Sequence, residues 1–413
     1  MMAALKPTPS GHKFTRRKGR RVLRICLSLV GLVLVFYYLA IGHVFMQQGD
    51  FTETTVSSII SSQAQLLASE IDESIAQHEL APRFTIITVV LPSVVNPKGR
   101  KQRLDSITAT WATQTNAIYV THPGTDSDYS ILSASSQYPK LMPIPHDVAT
   151  EEQGVPRLQY VIKHTFNEYN PDFAFFVNDH TFVIPEHLNK YLNAINAKPN
   201  EQLYAGHALR PRNQKGTRYA FNSGASGYFL SRKTMQALIE KWNDGDAVCA
   251  GSGSVWLQGN PGLLTAECLK SMGVDPVDSR DKDKRHIFHA FGLVRVVKNE
   301  VDDWYHRMHE DLDAILGDDN KYHHKLQKGE MCCSSDTVSF HYVEYAETRA
   351  LWATLQMVRS NPDVDDEMLQ QYMITHFPQD KKDIGAYAYH LPAVEESDTW
   401  FDLLKVVRNI ASF

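Results

Sequence analysis

Asn178, Asp179 and His180 follow directly on the apolar, aromatic run Phe173–Val177 (FAFFV). A carboxylate and an imidazole at the end of a buried strand can hold a divalent cation, and Mn²⁺ accepts both donor types. Such a cation could bridge the protein to a diphosphate. The plainer role for the same residues is an Asx turn closing the strand.

Other segments carry chemistry-capable side chains. Gly224 and Gly227 flank Ala225-Ser226 and allow backbone to approach a ligand closely, or simply make a turn before a helix. Asp278-Ser279-Arg280-Asp281 can fix a loop through an internal Arg280–carboxylate pair. His289 sits in an apolar run (IFHAF), where a histidine ordinarily serves as a hydrogen-bonded core residue. His341 (SFHYV) reads as structural. Four cysteines, Cys249, Cys268, Cys332 and Cys333, permit three pairings; without paired CxxC motifs they do not suggest zinc. P-loop and dinucleotide glycine patterns are absent, as is any N-glycosylation sequon.

Positioning these residues falls to an alternation of strands and helices. Phe84–Leu91 (FTIITVVL) reads as a buried strand, Arg103–Trp111 as a helix, Ala117–Thr121 as a strand and Leu158–Tyr169 as a helix. Phe173–Val177 is a further strand, and Arg232–Trp242 a helix. This order predicts an α/β fold with binding loops at the carboxyl ends of its strands.

The chain of 413 residues is 43% hydrophobic and has a net charge of −5. Eight basic and no acidic residues occupy positions 1–24, leaving 34 basic against 47 acidic residues, about −13, in the remainder. So acidic a body argues against nucleic-acid binding. Ile25–Met46, which contains Cys26, is uncharged and long enough to span a bilayer. With the basic tail before it, it predicts a single-pass type II signal-anchor, with the bulk of the chain lumenal and its cysteines in an oxidising compartment. Residues 47–82 read as a stem. Val56, Ile60, Ala64, Leu67, Ile71 and Ile75 form one helical stripe, either a spacer or a short coiled-coil seam making a homodimer. A domain over 83–350 and a C-terminal helical extension over 351–413 complete the expected organisation.

Taken in order, FFVNDHTFV, FNSGASGYFLS, DSRD, IFHAF, CCS and SFHYV resemble the core 1 β1,3-galactosyltransferases (T-synthases) of glycosyltransferase family 31, relatives of the Fringe enzymes. The resemblance runs roughly from Phe84 to Val343, with a short echo at Ile384–Pro392. It implies a GT-A fold with a mixed, mostly parallel sheet, a UDP-sugar donor, Mn²⁺, a glycoprotein or glycan acceptor and a Golgi location. Carried onto this sequence, it implies Asp179, His180 and His289 as metal ligands, and Asn178, Asp179, Gly224, Gly227 and Tyr228 as donor or substrate contacts. It also implies a Cys249–Cys268 disulfide, and a place near the nucleotide for Thr110-Trp111.

The sequence departs from that family at telling positions. Asn178 and His180 stand where the family has Asp, and Tyr160-Val161 where it has Trp-Lys. Pro261-Gly262 replace a Glu-Asp pair whose Asp is the general base. Glu267, or Asp244 or Asp246, could supply that carboxylate; the bland role for Glu267 is a helix-surface carboxylate beside Cys268. Two functions follow: an inverting, Mn²⁺-dependent galactosyltransferase acting on O-linked N-acetylgalactosamine, or an inactive relative serving a glycosyltransferase as chaperone or binding glycans.

Overall fold

β-Branched and aromatic residues dominate the two strands that the sequence places at the centre, and these strands organise the rest. β1 (Ile86–Leu91), α1 (Arg100–Ala109), β2 (Asn116–Thr121), β3 (Lys140–Pro143), α2 (Gly154–Tyr169) and β4 (Phe173–Asn178) alternate along the chain. After β4 come β5 (Phe182–Val183), α3 (Pro185–Ala194), β6 (Tyr204–Gly206), β7 (Ala208–Leu209), β8 (Phe221–Asn222), β9 (Tyr228–Ser231) and α4 (Arg232–Asn243). Next are α5 (Pro261–Ser271), β10 (Phe288–His289), α6 (Leu293–Lys298), α7 (Asp303–Arg307), β11 (Ser339–Phe340), α8 (Tyr345–Ser360), α9 (Asp366–His376) and α10 (Ser397–Ala411).

This computed structural model describes residues 83–93, 99–123, 139–148, 154–211, 220–251, 260–309, 312, 326–378 and 390–412. All fall in one compact unit, Pro82–Phe413. The basic tail, the apolar run Ile25–Met46 and the stem lie outside the described residues. No helix among the described residues is long and apolar enough to cross a membrane.

The main sheet has the order β3-β2-β1-β4-β9-β6. Its first four strands pair in parallel, and β9 alone runs against its neighbours β4 and β6. The fold is therefore a mixed α/β arrangement with a mostly parallel central sheet. Strands β10, β11 and β5 form a second sheet, and β7 pairs with β8.

Period-two alternation sends side chains to two cores. Ile86, Val90, Phe173, Phe175 and Val177 face one; Ile87, Val89, Ala174 and Phe176 face the other. Both faces are covered, which explains why β1 and β4 read as continuous apolar runs. The first core takes Leu104 and Ile107 of α1, Tyr191 of α3 and the apolar stripes of α8, α9 and α10. The second takes Val161 and Ile162 of α2, Leu238 of α4 and Leu269 of α5. Phe175 stacks on Phe229 at 4.5 Å between ring centroids. Each such fully buried aromatic contributes about 1.5–3 kcal/mol.

Helix α1 begins three residues before the expected start. Gly99 precedes it with φ +75°, a left-handed turn suited to glycine. Arg100 and Arg103, polar enough to suggest an exposed first turn, are both buried. Trp111 falls beyond the helix in a 3-10 turn and is fully buried in the first core.

Candidate functional site

Register fixes where the site forms. Leu91 pairs with Asn178, so β1 and β4 end side by side and release their loops at the same edge. Thr181 N–H donates to Asn178 O (3.2 Å), closing a tight turn between β4 and β5. The Asn178 side chain orders that turn. Its Oδ1 accepts from His180 N–H (2.9 Å) and Thr181 Oγ1 (3.0 Å), and its Nδ2 lies 3.0 Å from His341 Nε2. Burial lowers the His341 pKa to about 3, so the ring is neutral and its Nε2 can accept from the amide. Asn178 is thus a turn former and His341 its structural partner.

Asp179 is buried and both its oxygens are engaged. Oδ1 accepts from Ser93 N–H and Oδ2 from Arg103 Nε, each at 2.8 Å. The carboxylate straps the loop after β1 and helix α1 to the end of β4. Arg103 Nη1 lies 3.8 Å from Glu344 Oε2, and His180 Nδ1 lies 3.3 Å from Glu344 Oε1. An arginine and two carboxylates therefore gather where a metal was expected.

His289 does not join them. Its Nε2 is 3.3 Å from Thr337 Oγ1, and its ring stacks on Phe340 at 4.7 Å. Burial lowers its pKa to about 3, as befits a neutral core imidazole. Among the described residues, no three His, Cys, Asp or Glu side chains are placed to hold a metal ion. A divalent ion on Asp179 would also share the carboxylate with a guanidinium. At about 4 Å and an effective dielectric near 20, that repulsion is roughly 4 kcal/mol per unit of ionic charge. The expected Mn²⁺ set of Asp179, His180 and His289 does not fit this arrangement.

The glycine turn, by contrast, meets the β4 turn. Thr181 Oγ1 lies 3.0 Å from Ala225 O and shares its one hydroxyl proton between that carbonyl and Asn178 Oδ1, and Ser339 Oγ donates to Ser226 O. The two glycines have different reasons. A Cβ on Gly227 (φ +83°) would lie 2.6 Å from the Phe175 ring, so this residue is required by packing. A Cβ on Gly224 would meet nothing nearer than Tyr228 Cε1 at 3.9 Å, leaving open space for close approach. Tyr228 is a core residue rather than a substrate contact: its ring stacks on Phe176 at 5.3 Å and meets Tyr204 edge-on. Burial raises its phenol pKa.

Remaining candidates resolve into supporting roles. Arg280 grips Asp278 with a two-pronged pair (Nε to Oδ1 and Nη2 to Oδ2, both 2.8 Å), and Arg285 holds Asp281. Pro261 and Gly262 form the first turn of α5. Glu267 follows on that helix between the buried Ala266 and Cys268, and its Oε2 is buried with no hydrogen-bond partner. Asp246 accepts from Lys241 Nζ (2.9 Å) and from Val248 and Cys249 N–H, holding a loop. The structure bonds Cys249 to Cys268 and Cys332 to Cys333. Arg103 and Glu344 were missed by sequence reasoning. The one available signal was an arginine two turns before a buried tryptophan, and charge alone gives no sign of burial.

No protein-family model matches the chain. The chain is similar to a curated protein of Xenopus laevis, glycoprotein-N-acetylgalactosamine 3-beta-galactosyltransferase 1, with 28% identity over 188 residues. The match covers 45% of this chain and 44% of that protein, so the chain spans less than half the length of the curated relative it matches.

Proposed function

We propose that this chain, whose resemblance to glycosyltransferase family 31 is supported by that galactosyltransferase relative, transfers galactose from UDP-galactose to O-linked N-acetylgalactosamine in β1,3 linkage. The observation that carries this reading is the meeting of the Asn178–Thr181 turn with the Ser223–Gly227 turn through Thr181 and Ala225. They meet at the carboxyl edge of a mostly parallel sheet, where open α/β folds bind their ligands. In an inverting transfer the acceptor hydroxyl attacks the anomeric carbon, its proton passes to a base, and UDP leaves. Gly224 gives the donor room to approach the backbone, and Asp179 with Arg103 keeps the strand ends fixed beneath it. Glu267 is the candidate base: it lies on α5, which packs on β8 at the start of the Ser223–Gly227 turn, and its Oε2 has no hydrogen-bond partner. No step is assigned to Mn²⁺, because the residues gathered at Asp179 do not fit it. The apolar run Ile25–Met46 supports a type II Golgi membrane protein, and the paired cysteines suit a lumenal domain.

A second reading is an inactive relative that binds a glycosyltransferase or a glycan. The Arg103–Asp179 pair favours it, because a carboxylate already neutralised by the protein is ill placed to bind a metal–diphosphate. UDP-sugar turnover by the full chain in detergent, with Mn²⁺ or with chelator and with a panel of acceptors, separates the two. Transfer to an N-acetylgalactosaminide supports the first reading; absence of both transfer and hydrolysis supports the second.

A further inference from the structure

The run Ser339–Val343 (SFHYV) touches both turns of the proposed donor site. It begins as β11, which pairs antiparallel with β5 and in parallel with β10. His341 Nε2 lies 3.0 Å from Asn178 Nδ2, and Val343 N–H donates to His180 O (3.0 Å), so the second half of the run holds the Asn178–Thr181 turn. Its first residue serves the other turn. Ser339 is fully buried, and its hydroxyl donates to Ser226 O. The preceding carbonyl, Ala225 O, lies 3.0 Å from Thr181 Oγ1. Two consecutive carbonyls of the glycine turn are thus each met by a hydroxyl, one from the β4–β5 turn and one from β11. A trans peptide is planar, so holding these oxygens fixes the planes of the two peptide units between Ala225 and Gly227.

We propose that Ser339 is a positioning residue for sugar transfer, its hydroxyl holding the Ser223–Gly227 turn where Gly224 meets the donor. This role rests on the transferase reading above. Ser339, being fully buried, acts through the turn and not on substrate. Ser226 is fully buried as well, and a buried carbonyl left without a donor is costly. With the Ser339 hydroxyl removed, the peptide plane after Ser226 turns to find another partner. Gly227 cannot absorb that rotation, because its φ of +83° and the Phe175 ring leave it no room. The movement passes instead to the exposed Gly224, two residues before Ser226. A displacement of about 1 Å near the reacting groups can cost on the order of 100-fold in rate.

The test compares Ser339→Ala, Ser339→Cys and Ser231→Ala with the parent, as full chains in detergent. Steady-state transfer from UDP-galactose to an N-acetylgalactosaminide and thermal unfolding are measured for each. Ser339→Ala should lower kcat/KM for UDP-galactose by on the order of 10- to 100-fold and leave KM for the acceptor within about threefold. Ser339→Cys keeps a weak donor, so its kcat/KM should fall between those of Ala and Ser; it also carries the comparison should the Ala variant not fold. Ser231 is equally buried and gives its hydroxyl to Glu201 O (2.7 Å) at the start of α4. Ser231→Ala should lower the unfolding temperature and leave kcat/KM of the folded protein at the parent value. Parent-like kcat/KM in the folded Ser339 variants, or an equal loss in Ser231→Ala, would overturn the positioning role while the transferase reading stands. No transfer by the parent would overturn both.

Discussion

Replacing Asp179 by Asn should act on stability first. The variant keeps one oxygen for Ser93 N–H but removes the charge that faces Arg103 across 2.8 Å, where both side chains are essentially inaccessible. Breaking one side of a buried ion pair costs about 3–5 kcal/mol, because the partner's charge is left without compensation. Glu344 stays 3.8 Å from the guanidinium and offsets part of the loss, so the low end, roughly 3 kcal/mol, is expected. For a unit of this size each kcal/mol moves the unfolding midpoint by about 2 °C, giving a fall of roughly 6 °C. Thermal unfolding followed by tryptophan fluorescence measures it. Arg103→Met combined with Asp179→Asn should recover at least half of the loss, since no uncompensated charge then remains. The reasoning is refuted if Asp179→Asn leaves the midpoint unmoved while abolishing Mn²⁺-dependent UDP binding in calorimetry. The carboxylate would then be a metal ligand and not a strap.

Three further outcomes are expected. Cys249→Ser should lower stability by about 3 kcal/mol, the chain-entropy value for a closed loop of about 20 residues, and peptide mapping should find Cys249 linked to Cys268 in the parent. Gly227→Ala should cost about 1–3 kcal/mol, because its φ of +83° and the Phe175 ring leave no room for a methyl group, whereas Gly224→Ala should cost little stability and lower UDP-sugar affinity. Stability should peak near pH 6.5. Burial lowers His187 to about 4 and His289 and His341 to about 3, so below 6.5 the unfolded chain binds more protons and stability falls with acid. Burial raises Glu347 to about 8, so the folded chain holds that proton and stability declines as pH rises towards 8; Glu347→Gln should remove the alkaline decline.

The scaffold was legible because β1 and β4 are buried on both faces, and their runs of Ile, Val and Phe can be little else. The helices with apolar stripes, α2 and α4, were found to within a few residues for the same reason. At the site, the ambiguity of Asn178 as turn former or ligand was visible, and the hydrogen bonds decide for the turn. What sequence could not give was the partner of each charge. Arg103 and Asp179 are 76 residues apart, and Glu344 lies far beyond both. Only the strand register brings them together. Tyr228 illustrates the same limit: it adjoins a genuine glycine turn, yet strand alternation points its ring into the core. The bond from Ser339 to Ser226 spans 113 positions and has no local signature.

The central claim is that the meeting of the two turns at the sheet edge is a donor-sugar site that works without the Asp179 metal set. Transfer from UDP-galactose to an N-acetylgalactosaminide by the purified full chain, in chelator and in Mn²⁺, tests it most directly. The account predicts transfer in both conditions, lowered by Gly224→Ala. Transfer that appears only with Mn²⁺, or no turnover in either condition, would contradict it.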